Sequence, residues 1–86
     1  MLKIAEYNTI TGEKVELKDL EKYGFVEYKK EYVRHYKNDI ETCVDRETRE
    51  IRDFDTDYRF TMIADLGEST RVNDLKKDGL VEKVEY

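Results

Sequence analysis

Proline and tryptophan are absent from this 86-residue chain, cysteine occurs once and glycine four times. Without proline and with so little glycine, no flexible linker is written into it, and residues 1–86 read as a single domain. The lone Cys43 has no second cysteine with which to form an intrachain disulfide or a structural zinc site. No stretch approaches the ~20 consecutive apolar residues of a membrane helix. Met1 is followed by Glu6, Asn8 and Glu13, so no secretory leader is expected and the reading is a cytoplasmic protein. The glycines fit neither a phosphate-binding loop nor a dinucleotide fingerprint.

What is present is charge and aromatic surface. Charged residues make up 43% of the chain and hydrophobic ones 38%, with seven tyrosines and three phenylalanines. A chain this short buries only about 60–65% of its unfolded surface. The aromatics offset the thin core, because each buries a large area, and they argue against disorder. The net charge is −5. Residues 1–43 carry eight Lys/Arg against nine Asp/Glu, and residues 44–86 carry eight against twelve. Such a balance does not suit a general nucleic-acid coater, which needs clustered cations to release counterions. It suits ordinary solubility, or an acidic face that meets a basic partner.

Hydrophobic periodicity outlines the elements. Leu2 and Ile4 begin a short strand, and Thr11-Gly12-Glu13 marks a turn. Val15 starts a return strand or leads directly into a helix. Leu17 and Leu20 share one helical face, with a weak N-cap before them. Gly24 then stands where a left-handed C′ residue belongs, with Phe25 placed to pack on Leu20. The same device recurs at Leu75, Gly79 and Leu80. Segments 19–27 and 74–82 share six of nine residues at an offset of 55. They are either a duplicated half-domain or two helices that stop by the same physical route.

Between these endings, the chain from Tyr28 to Phe54 reads as strands folded back on each other. Val26 to Lys37 forms the outgoing strand. Ile40, Thr42 and Val44 form the core face of the next, with Glu41 and Cys43 opposite. Asp45 to Thr48 turn, and Ile51 is the buried residue of the return. Asp53, Asp55 and Asp57 mark a loop. Tyr58, Phe60, Met62 and Ala64 alternate as a further strand. Ser69 or Thr70 caps a second helix whose Val72 and Leu75 point inward, and Leu80 to Tyr86 form the last strand, with Val84 and Tyr86 on Leu80's face. The expected fold is α+β: an antiparallel sheet of four or five strands with two short helices. The helices cover one face of the sheet, and the other keeps polar residues and tyrosines.

Chemistry is sparse. Asp53-x-Asp55-x-Asp57 begins like a calcium loop, but the pattern asks for glycine and glutamate where Tyr58 and Ala64 stand. His35 has no nucleophile or orienting group near it in sequence, and Cys43 reads as a buried thiol. No catalytic residue, cofactor or metal is therefore expected. The candidate binding residues are Tyr28, Lys30, Tyr32, Arg34 and Tyr36, which interleave aromatic rings with cations along one strand face. That face suits a protein interface, where tyrosine and arginine are enriched. It also suits single-stranded nucleic acid, where rings stack bases and cations follow phosphates. Equally, it suits cross-strand packing within a small sheet.

The turn Val44-Asp45-Arg46-Glu47-Thr48-Arg49-Glu50-Ile51, together with the tail from Asp74 to Glu85, resembles small accessory proteins encoded by phages and prophages of Gram-positive bacteria. The resemblance covers about the C-terminal half and rests on turns and helix endings. It implies a cytoplasmic accessory protein of a mobile element in a bacterial host. Some such proteins inhibit host defence systems, anti-CRISPR inhibitors among them. It carries over no catalytic residue. The expected function is non-enzymatic binding of a host or phage protein. An exposed edge strand also offers a route to a two-fold homodimer, and nucleic acid is the alternative partner.

Overall fold

A computed structural model describes residues 2–35, 40–55, 61–62 and 72–84. The elements are β1 (Leu2–Ile4), a 3₁₀ helix (Leu17–Tyr23), β2 (Val26–Tyr28), β3 (Glu31–His35), β4 (Ile40–Asp45), β5 (Ile51–Asp55), β6 (Thr61–Met62), α1 (Asn73–Lys77) and β7 (Val81–Lys83). Strands β2-β3-β4-β5-β6 form one antiparallel sheet in chain order, and β1 pairs with β7 in a second. The α+β architecture expected from the sequence is the one observed. No helix among the described residues is long and apolar enough to cross a membrane.

The two helices end as their glycines dictate. Gly24 and Gly79 sit at φ 86° and 80°. In the first ending the Gly24 N–H donates to Glu21 O and the Phe25 N–H to Leu20 O. In the second the Gly79 N–H donates to Lys76 O and the Leu80 N–H to Leu75 O. This is the same pair of bonds at the same offsets, the Schellman pattern. Leu20, Phe25, Leu75 and Leu80 all enter one core with Leu2, Ile4, Val15, Tyr32, Val44, Ile51 and Val72. The expected inward pair Val72 and Leu75 is fully buried. Fully burying each such aliphatic side chain is worth about 1.5–3 kcal/mol. The N-cap of the 3₁₀ helix, weak as read from the sequence, is reinforced by a capping box between Glu16 and Asp19. Asp19 accepts from the Glu16 N–H at 3.3 Å. The N-cap position of α1 is Val72, while Ser69 and Thr70 lie outside the described residues.

The loop after β1 is tied to the second helix ending. Asn8 Oδ1 accepts from the Ile10 and Thr11 N–H groups, and Asn8 Nδ2 donates to Asp78 O. The Thr9 N–H donates to Gly79 O. Tyr7 and Lys14 form a single bridge, so Val15 returns only briefly before the 3₁₀ helix. The two sheets meet where the Ile4 N–H donates to Arg49 O.

Two expectations are corrected. The stretch from Val26 is not one strand through Lys37: a two-residue turn at Lys29-Lys30 divides β2 from β3, with Tyr28 opposite Glu31. Lys29 takes φ 55° there, a backbone state usually left to glycine, asparagine or aspartate, which is why no turn residue announced it. Asp53 is not in a loop either. It lies within β5 opposite Thr42, fully buried, and accepts the Thr42 hydroxyl at 2.7 Å. A hydroxyl directly across the ladder lets the carboxylate stay inside the sheet, where an unpartnered one would be costly. Asp57, Tyr58, Phe60, Ala64, Tyr86 and residues 36–39 lie outside the described residues.

Candidate recognition face

The register sorts the large sheet into two faces, because residues directly opposite in an antiparallel ladder point the same way. Tyr32, Thr42, Val44, Ile51 and Asp53 share the inner face and are all buried. The outer face carries Val26 opposite Val33, Val33 opposite Cys43, Cys43 opposite Arg52, and Glu41 opposite Phe54. Tyr28 and Glu31 extend it toward the Lys29-Lys30 turn. Both helices and the small sheet contribute to the inner core. The expectation that one face is covered and the other retains polar residues and tyrosine therefore describes the sheet.

The five candidate residues do not come together. Tyr28 is on the outer face and 59% exposed. Lys30 is in the turn. Tyr32 is on the inner face, 5% exposed and part of the core. Arg34 also faces inward. Its guanidinium lies 4.5 Å from the centre of the Phe25 ring, bonds Asp74 Oδ2 at 2.6 Å and donates to Tyr23 O at 3.0 Å. Tyr36 lies outside the described residues. The two-residue turn separates Tyr28 from Tyr32, so the single interleaved face read from the sequence is replaced by two faces of opposite character.

The residues that do gather are Tyr28, Glu31, Val33, Glu41, Cys43 and Phe54, which line a depression of about 280 Å³ on the outer face. Val26, 66% exposed, stands opposite Val33 beside it. Cys43 forms the floor at 6% exposure. Burial, then the charges of Glu31 and Glu41, push its thiol up to about 12, so it stays protonated and is no nucleophile at neutral pH. Glu41 is 3.4 Å from the exposed His35. Arg52 pairs with Glu50 on the same face. The sequence set Glu41 and Cys43 opposite the core face of Thr42 and Val44 by period-two spacing and read Cys43 as a buried thiol, which it is.

Two further arginines are held by neighbours. Arg46 pairs with Glu27 at 2.8 Å and donates to Lys29 O, which clamps the two turns at one end of the sheet. Arg49, at φ 66°, donates to Ala5 O and Val15 O. Among the described residues no group of three or more His, Cys, Asp or Glu is arranged to hold a metal ion. No family model, curated protein or solved structure matches the chain.

Proposed function

We propose that this chain is a non-enzymatic binding protein that recognises another protein through the outer face of its large sheet. One observation carries the reading: Val26, Tyr28, Val33 and Phe54 share the face that the two helices leave uncovered. Two of them, Val26 and Tyr28, are more than half exposed in a chain with little apolar material to spare. Grouped exposed apolar side chains with a polar rim are the mark of an interaction site. The resemblance of its turn and tail to phage and prophage accessory proteins supports a role in a bacterial host, with a host defence component among the candidate partners. Single-stranded nucleic acid, the alternative, has less support, since Tyr32 is buried and Arg34 is engaged with Asp74.

The test is affinity capture from nuclease-treated lysate of a Gram-positive host. Wild type is compared with the double variant Val26→Ser, Tyr28→Ser, both positions being exposed enough to leave the fold intact. A protein retained by wild type and lost from the variant, at unchanged melting temperature, is the expected result. Retention by both overturns the assignment of the face.

A further inference from the structure

Charge decides what the outer face would accept. Its described charged groups are Glu31, Glu41, Asp45 and Glu50 against Arg52, with His35 at the margin and the Lys29 ammonium 5.2 Å from the centre of the Tyr28 ring. Glu31 and Glu41 line the depression itself, each two residues along its strand from the Val33–Cys43 pair at the centre. Both carboxylates act on the Cys43 thiol, so their fields overlap over the floor. An apolar wall with two anionic groups beside it fits a side chain that is apolar along its stem and cationic at its tip, which is arginine or lysine. A second copy of the chain fits poorly face to face, because it would set four carboxylates against four.

Resting on the reading that this face is a protein-binding surface, we propose that its partner presents a basic side chain between apolar neighbours. The cation sits over Cys43 between Glu31 and Glu41, and the apolar neighbours lie on Tyr28, Val33 and Phe54. Recognition by complementary charge then excludes acidic segments and nucleic-acid backbones from the same face.

The probes are three blocked tripeptides with arginine, citrulline or glutamate between two leucines, titrated into isotope-labelled protein and followed by amide chemical shifts. The arginine peptide is expected to shift the amides of Glu31, Val33, Glu41, Cys43 and Phe54. Glu31→Gln or Glu41→Gln should each weaken binding of the arginine peptide about fivefold, the size of one partly exposed ion pair, and the citrulline peptide, which loses both pairs, should bind more weakly still. The glutamate peptide should leave these amides unmoved. Equal shifts from all three peptides overturn the charge inference while leaving an apolar binding face. Shifts from none, or concentration-dependent shifts without peptide that mark self-association through this face, overturn the inference as well. A single-stranded oligonucleotide that moves the same amides does so too.

Discussion

Among the described residues Gly24, Gly79, Lys29 and Arg49 take a left-handed conformation, as does Gly12 in its exposed turn. At both helix-ending glycines a Cβ costs about 1 kcal/mol in backbone strain alone. The sites differ in their surroundings. A Cβ on Gly24 meets only the Arg34 Cδ at 3.8 Å, an ordinary contact, whereas on Gly79 it collides with Asn8 Oδ1 and presses on Ile10 Cγ1 at 3.0 Å. Gly79→Ala is therefore expected to lower stability clearly more than Gly24→Ala, and urea unfolding midpoints of the two variants check the order. Lys29 and Arg49 make the opposite pair. Arg49→Gly relieves strain but loses two guanidinium bonds to Ala5 O and Val15 O, so a net loss of about 1–3 kcal/mol is expected. Lys29→Gly loses only an exposed stacking contact with Tyr28 and should be neutral or slightly stabilising. The glycine endings were legible in the sequence because glycine at that place has few other uses. Lys29 was not legible, because nothing about lysine signals positive φ, and missing it put Tyr28 and Tyr32 on one face.

At the scale of elements, the two helix endings are joined directly. Tyr23 donates its hydroxyl to Asp78 at 2.6 Å, and these two residues occupy matching places in the segments 19–27 and 74–82. The Asp78 hydrogen bond, then burial, raise the Tyr23 phenol to about 12. Arg34 completes the joint by bonding Tyr23 O and Asp74 while stacking on Phe25. In the sequence Arg34 reads only as one of an interleaved binding set, since no local pattern shows that α1 returns to β3 forty residues later. Arg34→Ala is accordingly expected to lower stability by about 1–3 kcal/mol, while Lys30→Ala should change it little. The joint also predicts an acid response. Burial alone would raise the Asp74 carboxyl, but the Arg34 hydrogen bond and charge outweigh it and hold the folded value below the ordinary 3.8. A lowered folded pKa contributes stability that is complete above the unfolded value and is lost as pH falls through the folded one. Asp45 behaves alike, lowered by the Thr48 and Glu47 N–H groups. Unfolding midpoints should thus fall as pH drops below about 4, and the Arg34→Met variant should show a shallower fall, because only the Asp45 contribution remains intact.

For the molecule as a whole, the large sheet divides a short chain's limited apolar material between a core and an exposed face. The α+β class and the inner set Thr42, Val44 and Ile51 were readable from alternation, because one face of β4 and β5 must be buried against something. The openness of the outer face was hidden, since a partly buried Val33 or Phe54 looks the same in sequence whether it is covered by a helix or left open. Tyrosine makes the distinction measurable. Tyr32→Ala removes a buried ring from the core and is expected to cost about 3–5 kcal/mol, a large part of the stability of so small a domain. Tyr28→Ala removes a ring that is 59% exposed and should barely move the melting temperature. The same division governs charge. Arg34 pairs with Asp74 and Arg46 with Glu27, so neither is offered to a phosphate backbone, and the net charge opposes its approach. Titration with a single-stranded oligonucleotide at low salt is therefore expected to show no binding with the steep salt dependence of counterion release. Binding that weakens steeply with added salt, and that falls in Lys30→Ala, would instead place the nucleic-acid surface at the Lys29-Lys30 turn and remove the protein-recognition reading of the sheet.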